Sequence, residues 1–277
     1  MILGMELRAL ALELLALPDP ADKAARTRAA LARLRCQPGD TLNLDRHSVW
    51  QPASPLPGRP ALPRLVPAQQ VPQRSPFTLA GRAALLHAIC HIEFNAINLA
   101  LDAVWRFAGM PESYYLDWLQ VAGEEALHFS LLHDHLQGLG HRYGDFDAHD
   151  GLWQMVEATR GDILARMALV PRTLEARGLD ATPPIQAKLR KAGDHAAVAI
   201  LDIILRDEIG HVAIGNHWYR WLCAREGLDP VAHYPGLVAR HAAPRLRPPF
   251  NRAARQAAGF STEELDQLQA GASVPAA

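Results

Sequence analysis

The chain has few cysteines, few aromatic residues and little net charge, and each shortage excludes a class of protein. Its three cysteines among 277 residues lie far apart and form no CxxC pair, so neither a disulfide framework nor a zinc knuckle is expected. Aromatic residues make up only 6%, while alanine and leucine are abundant, which favours helices over sheets. A formal net charge of −1 gives no general electrostatic reason to bind nucleic acid or an anionic membrane. We expect a cytoplasmic protein.

The sequence also lacks the motifs of common enzyme classes and a targeting segment. No GxGxxG, GxxxxGK[ST] or GxSxG occurs, so phosphate-loop and serine-hydrolase chemistry have no support. The apolar N-terminal run is interrupted at helical spacing by Glu6, Arg8 and Glu13, which predicts an amphipathic helix and not a signal peptide. No other segment approaches the roughly 20 uncharged apolar residues that span a bilayer. No membrane partner is expected.

Proline divides the first quarter of the chain. Residues 1–36 carry a helical pattern that predicts two short helices, broken between Leu17 and Pro20 because proline is excluded from helix interiors. Residues 37–76 contain nine prolines and few periodic apolar positions. This second segment is predicted to be an extended arm that lies across the surface of the main domain.

Residues 77–228 are helical in pattern nearly throughout, and residues 229–277 form a tail rich in proline and arginine. Glycine and proline interrupt the helical pattern at four places: Gly109 to Pro111, Gly138 to Gly151, Gly178 to Pro184, and Gly193. In the tail, Ser261 and Glu264 form an SxxE capping box that begins a last short helix. The predicted fold class is all-α: a bundle of four long helices with N-terminal helices, an arm and a wrapping tail.

Two short motifs in this helical region suit metal binding. In LRDEIGHVAIGNHW, Glu208 and His211 lie three residues apart. Three residues of an α-helix turn by roughly 300°, so both side chains project from one face and can hold one metal ion. The same spacing relates Glu125 to His128 in VAGEEALHF. Each motif alone is weak evidence, because glutamate and histidine are both common in this chain.

Single glutamates upstream connect the two motifs. Glu93 lies 32 residues before the glutamate of the first ExxH motif, and a Gly-Met-Pro turn at residues 109–111 occupies the midpoint. Residues at the same height of an antiparallel hairpin are equidistant from its turn, so Glu93 is predicted to face that motif. Glu175 lies 33 residues before the glutamate of the second motif, around a turn at residues 191–194. Each predicted hairpin therefore carries one glutamate opposite one ExxH motif.

Stacking two such hairpins would bring four carboxylates and two imidazoles to one level of a bundle. This is the ligand set by which four-helix bundles hold two iron or manganese ions. Apart from His211 itself, the residues three, four and seven positions from Glu93 and Glu208 are apolar or small, which predicts that both carboxylates point inward. A buried carboxylate without a partner is strongly destabilising or becomes protonated, so a cation would stabilise it.

The repeated set of one glutamate and one ExxH motif resembles the ferritin-like di-metal carboxylate superfamily over about residues 77–226. Phrases such as HAICHIEFNAINLALDA, LEARGLD, DEIGHV and PPFNRAARQAAGF are similar, over nearly the whole chain, to a bacterial branch catalogued as domain of unknown function 455. The resemblance implies six metal ligands: the bridging Glu125 and Glu208, the terminal Glu93 and Glu175, and one imidazole for each ion, His128 and His211.

The resemblance also implies a function. Two ions held by carboxylates and one imidazole each retain open positions at which dioxygen can be reduced. We expect a di-iron or mixed manganese and iron oxidoreductase that hydroxylates or otherwise oxidises an unknown organic substrate, with electrons from an external donor. A monomer or small homo-oligomer is expected. The alternatives are ferritin-type iron handling or peroxide removal, a tRNA-modifying hydroxylase, and a metal-free interaction scaffold.

The candidate residues also have structural interpretations. The ligands could be buried salt bridges of a plain bundle. Glu175 could be a surface acid at a helix end, and Glu157, on the same face, is a substitute whose distance from the turn does not fit. Glu124 and Asp207, each four residues before a ligand histidine, could steady the imidazoles through their other nitrogen or be solvated.

Two features lie outside this ligand set. His87 and His91 form an HxxxH spacing that zinc sites also use, but no acid lies on their face, so a polar contact with the arm or tail is favoured. The tail has no acid between Pro230 and Thr262. It holds five arginines: Arg240, Arg245, Arg247, Arg252 and Arg255. They could receive an anionic substrate such as tRNA, although wrapping onto an acidic face of the same chain is favoured.

Overall fold

The computed structural model describes residues 6–36 and 43–273, which are helical apart from turns, loops and one isolated β-bridge between Leu65 and Ala148. The predicted all-α class is confirmed. The chain divides into two compact units, unit 1 (Met1–Asp150) and unit 2 (Gly151–Ala277). The segment boundaries expected at residues 36, 76 and 228 stay predictions as domain boundaries.

Unit 1 is built on two long helices and two shorter ones. Within its described residues the α-helices are α1 (Leu7–Ala16), α2 (Pro20–Cys36), α3 (Leu79–Arg106) and α4 (Glu112–Gly138). The break between α1 and α2 falls where the prolines predict it. α1 packs on α3, and α2 packs on α4.

The two long helices form the predicted antiparallel hairpin. Contacts join Cys90 to Phe129 and Glu93 to His128. The residue numbers of each pair add to nearly the same value, as they do when two helices run antiparallel. The turn lies at Gly109, which has a φ of 78°. This left-handed conformation costs glycine little, so the glycine fixes where the hairpin reverses.

The described part of the proline-rich arm, residues 43–76, has no α-helix, as predicted, and one short 3-10 turn at Ala68–Gln70. Residues 37–42 lie outside the described residues. The Gly58 amide donates to the Leu15 carbonyl at 2.9 Å. The buried Arg8 guanidinium donates to two arm carbonyls, those of Asp45 and Ser48. Hydrogen bonds that involve the backbone of the arm therefore hold the arm against α1.

Helix α3 is long and apolar enough to span a bilayer by length and composition alone, with a mean hydropathy of 1.3 over its most apolar window. This differs from the expectation that no segment beyond the N-terminal run is apolar enough to span a bilayer. However, 78% of that window is buried inside the protein. Core helices of globular domains give the same signal, so the feature is weak evidence for a membrane.

Unit 2 contains shorter pieces around one long helix. Its described helices are α5 (Gly151–Ala158), α6 (Ile163–Leu169), a π-helical turn (Val170–Glu175, hereafter the π-turn), α7 (Ala176–Lys191), α8 (His195–Glu226), α9 (Pro230–Arg240), α10 (Arg252–Ala257) and α11 (Thr262–Ser273). The capping box at the start of α11 is confirmed, because the Glu264 amide donates to Ser261 Oγ at 3.1 Å and the Ser261 amide donates to Glu264 Oε2 at 2.7 Å.

The helix break predicted between Gly178 and Pro184 is wrong. Residues 163–191 form one continuous helical run. Pro183 has no N–H to donate to the Leu179 carbonyl four residues earlier. Asn251 Nδ2 donates to that carbonyl instead, at 3.2 Å. A side chain 72 residues away therefore satisfies the carbonyl that the proline leaves open.

Candidate metal centre

Three potential metal ligands converge in unit 1. Glu93 lies near the middle of α3, and Glu125 and His128 lie one turn apart on α4. One ligand atom from each lies within 4.8 Å of the other two. His128 Nδ1 is 3.2 Å from Glu93 Oε2 and 3.3 Å from Glu125 Oε2. Such separations suit donor atoms that share one ion at about 2.0–2.2 Å each.

Two carboxyl groups and one imidazole share this buried site. All three side chains are buried, and Glu125 and His128 have no exposed surface. Burial raises the pKa of Glu93 above its usual range, the Glu125 charge raises it further, and His128 opposes both. The raised pKa shows that the imidazole does not offset the cost of ionising both buried carboxyl groups. A divalent cation would favour the ionised form of both.

In unit 2, the second ExxH motif is also buried. Glu208 and His211 lie one turn apart on α8, with Glu208 Oε2 at 3.8 Å from His211 Nδ1. Glu175 is the last residue of the π-turn and is 9% exposed. Its interpretation as a surface acid at a helix end is therefore wrong, because it is buried within a continuous helical run. The three do not form a group as tight as the one in unit 1.

Glu157 does not replace Glu175. Its side chain is 43% exposed and lies 3.8 Å from Arg160. An exposed acid with a cationic neighbour three residues away has no need of a metal. Both its exposure and its distance from the turn therefore disfavour Glu157 as a metal ligand.

Comparison with known proteins identifies the family. The family described as "Protein of unknown function (DUF455)" matches residues 16–266. The chain belongs to the DUF455 family. An uncharacterized protein of Haemophilus influenzae is 54% identical over 216 residues, which cover 76% of this chain and 75% of the relative. No solved structure matches the chain significantly. The resemblance to this branch is confirmed, and membership of the ferritin-like superfamily stays a prediction.

The HxxxH pair of this DUF455 protein forms its hydrogen bonds with the loop that follows α4 and not with the arm or the tail, which corrects the expectation, although the charge of Arg59 in the arm helps to lower the pKa of His91. The Gly144 amide donates to His87 Nε2 at 2.9 Å. His91 Nδ1 lies 2.8 Å from the Tyr143 hydroxyl. Both partners belong to the loop that follows α4. Burial lowers the pKa of each histidine to about 4, so both are neutral near pH 7 and pack as part of the unit 1 core.

The two acids expected beside the ligand histidines lie near the surface. Glu124 accepts hydrogen bonds from Arg35 at 3.2 Å and from Gln120 at 3.3 Å. Asp207 accepts two from the adjacent Arg206, at 2.8 Å and 3.2 Å. Their proposed action on the imidazoles stays a prediction.

The basic tail of the DUF455 chain finds acidic partners inside unit 2. Arg255 Nε donates to Asp180 Oδ1 at 3.0 Å, and its NH2 donates to Asp180 Oδ2 at 2.7 Å. Arg252 pairs with Asp266 at 2.8 Å, and Arg240 lies 4.0 Å from Asp162. These arginines do not require an external anion, so their presence does not by itself favour an RNA substrate.

The sequence reasoning missed the π-turn. Pro171 provides no N–H for the helical ladder, and Thr173 Oγ1 donates to the Ala168 carbonyl at 2.7 Å. Pro171 also packs where Gly215 of α8 has no side chain, since a Cβ at Gly215 would lie 2.5 Å from Pro171 Cβ. Single π-turns inside α-helices often accompany functional sites. A proline four residues before a candidate ligand was the available signal.

Proposed function

We propose that this DUF455 protein is a two-metal oxidoreductase that uses iron, or manganese and iron, to activate dioxygen and oxidise an organic substrate. The buried group of Glu93, Glu125 and His128 is the observation that carries the proposal. Its oxygen and nitrogen donors suit iron and manganese better than soft, thiolate-binding metals. The raised pKa of Glu93 supports it, because a cation would offset the cost of ionising two neighbouring buried carboxyl groups.

The second ion would be held by Glu208 and His211, with Glu175 as a further carboxylate. The repetition of one glutamate and one ExxH motif supports a pair of ions. A ferritin-like four-helix bundle, with Glu125 and Glu208 bridging the ions, rests on the resemblance of the sequence pattern alone.

The residues of the chain would bind the ions and exclude water, while bound iron or manganese would supply the redox chemistry. His128 Nδ1 faces both carboxylates, so this nitrogen is the one expected to bind metal. Phe94 and Phe129, with ring centroids 5.8 Å apart, flank the ligands along α3 and α4. Such apolar neighbours keep water away and strengthen the electrostatic interactions of the ligands.

Metal analysis tests the proposal directly. Protein purified without chelator and loaded with Fe(II) or Mn(II) should retain two ions per chain by inductively coupled plasma mass spectrometry. Glu125→Ala and His211→Ala should each reduce the metal content. The exposed Glu157→Ala is the matched control and should retain the wild-type content. A folded wild type that retains no iron or manganese would contradict the proposal and favour the metal-free scaffold.

Oxygen uptake tests the catalytic part. Fe(II)-loaded wild type should consume dioxygen in an oxygen electrode, and Glu125→Ala should remain at the background rate. Light scattering distinguishes the iron-handling alternative, because a multi-subunit shell favours storage whereas a monomer or small oligomer favours an enzyme. Uptake equal in wild type and Glu125→Ala would remove the support for oxygen activation at this site.

A further inference from the structure

Three consecutive residues of the π-turn are each held by a different part of unit 2. Pro171 packs against Gly215 of α8. Arg172 pairs with Glu264 of α11. Thr173 Oγ1 lies 2.7 Å from the Tyr234 hydroxyl of α9. The two tail helices therefore contact the irregular turn that ends at the candidate ligand.

Arg172 sits in a cage of aromatic rings. It is 4% exposed. Its guanidinium carbon lies 5.1 Å from the ring centre of Tyr219, 4.8 Å from that of Tyr234 and 4.9 Å from that of Phe260. Rings at this distance attract a cation through their quadrupoles. A cage does not remove the cost of burying the charge, so a carboxylate is also needed.

Glu264 supplies that carboxylate. Its side chain accepts hydrogen bonds from Arg172 and, at 2.8 Å, from Arg220. Burial alone would raise the pKa of Glu264, but Arg172, the Ser261 amide and Arg220 together lower it. The same side chain caps the start of α11. Glu264 thus links the beginning of the last helix to the middle of the π-turn.

The register of the π-turn determines where Glu175 points. A π-turn accommodates one more residue than an α-helical turn. If it tightened to α-helix, the residues on one side would rotate by about 100° relative to those on the other. Removing the charge of Glu264 would leave the Arg172 guanidinium buried without a carboxylate, which is energetically costly. Arg172 would avoid that cost by moving out of the aromatic cage. The departure of Arg172 would release the constraint that keeps the turn open.

We propose that Glu264 and Tyr234 are positioning residues, which hold the π-turn through Arg172 and Thr173 and thereby orient Glu175 toward its metal ion. The inference rests on the proposed two-metal function. It assigns a role in metal binding to a tail that carries none of the six ligands.

The test is a titration of the metal-free full-length protein with Mn(II), followed by calorimetry and by the loss of the free Mn(II) signal in electron paramagnetic resonance. Wild type should bind two ions, and Glu175→Ala should weaken one of them. Glu264→Gln should weaken the same ion about tenfold to hundredfold, the effect typical of residues that orient a ligand. Tyr234→Phe removes one hydroxyl and should have a smaller effect in the same direction.

Matched variants separate positioning from a general loss of stability. Glu263→Gln, at the exposed neighbour of Glu264 on α11, should bind both ions as wild type does. The other ion, held by Glu93, Glu125 and His128, should bind unchanged in Glu264→Gln, which shows that the variant is folded. The double variant Glu175→Ala/Glu264→Gln should be no weaker than Glu175→Ala, because both changes act through one side chain.

The possible results are distinguishable. Wild-type affinity for both ions in Glu264→Gln and Tyr234→Phe overturns the inference and leaves the two-metal function in place. Additive losses in the double variant also overturn it, because Glu264 would then act by another route. A wild type that binds no Mn(II), or a Glu175→Ala variant that binds like wild type, overturns the proposed ligand set and the positioning role with it.

Discussion

The two units carry the same sequence pattern on different supports. In unit 1, Glu93, Glu125 and His128 lie on uninterrupted α-helices joined by a tight turn, and they converge within 4.8 Å. In unit 2, Glu208 and His211 lie on a regular helix, but Glu175 is the last residue of a π-turn that tail residues hold. Regular helices place ligands by spacing alone, whereas the irregular turn depends on contacts that are distant in sequence.

The largest expected effect comes from removing the upstream carboxylate of each unit. Glu93→Ala removes one of three converging candidate ligands and should weaken Mn(II) binding by more than about a hundredfold, because ligands matter more than the residues that orient them. Glu175→Ala should weaken the other ion less, since its group is looser. Calorimetric titration of the two variants measures the difference. Equal losses would show that the looser arrangement of unit 2 tightens when metal binds.

Removing the metal should lower the free energy of unfolding, because an ion that binds only the folded state stabilises it. An ion present at a hundred times its dissociation constant stabilises the folded state by about 2.7 kcal/mol. Wild type should therefore lose thermal stability when a chelator is added. Glu93→Ala should lose less, because it no longer binds that ion. Scanning calorimetry with and without chelator checks this, and an identical response of the two proteins would argue against Glu93 as a ligand.

The next prediction concerns a close packing contact in unit 2, between α8 and the π-turn. Gly215→Ala in unit 2 would place a Cβ 2.5 Å from Pro171 Cβ. Relieving such an overlap costs about 1–3 kcal/mol, and Mn(II) binding that depends on Glu175 should weaken as well. Gly178→Ala is the control, because nothing lies within 4 Å of the added Cβ and alanine favours the helix. Urea denaturation should show a lower midpoint for the first variant and an equal or higher midpoint for the second.

The same contrast explains what the sequence could and could not predict. The turn at Gly109, the capping box of α11 and the pairing of Glu93 with the first ExxH motif depend on local spacing, and each follows from the order of residues. The continuous helix through Pro183 and the burial of Glu175 depend on partners far along the chain. The sequence alone predicts a helix break at Pro183, because it does not reveal which distant residue will bond to the carbonyl that the proline leaves without a donor.

Acid sensitivity should belong mainly to unit 1. Burial lowers the pKa of His87 to about 4, although Asp145 raises it slightly, whereas an unfolded histidine has a pKa of 6.5. Between pH 6.5 and 4 the unfolded state binds a proton that the folded state does not, so stability falls as the pH falls through this range and changes no further below it. His87→Gln should reduce the proton uptake on unfolding by about one. Denaturant titrations at pH 6.5, 5 and 4 measure the slope.

His91 shares the environment of His87, with its pKa also lowered to about 4 chiefly by burial, so His87→Gln should retain part of the acid sensitivity. A slope unchanged in His87→Gln would mean that this histidine is protonated in the folded state.

The smallest expected effect on stability comes from removing one long-range hydrogen bond of unit 2. Asn251 caps α10 by accepting from the Ala254 amide at 3.2 Å, and its Nδ2 donates to the Leu179 carbonyl above Pro183. Asn251→Ser keeps a capping oxygen but cannot reach Leu179, so it should cost about 1 kcal/mol, the net value of one hydrogen bond. Asn251→Ala loses the cap as well and should cost about 1 kcal/mol more. Equal urea midpoints for wild type and Asn251→Ser would show that the continuous helix through the proline pair does not need its distant donor.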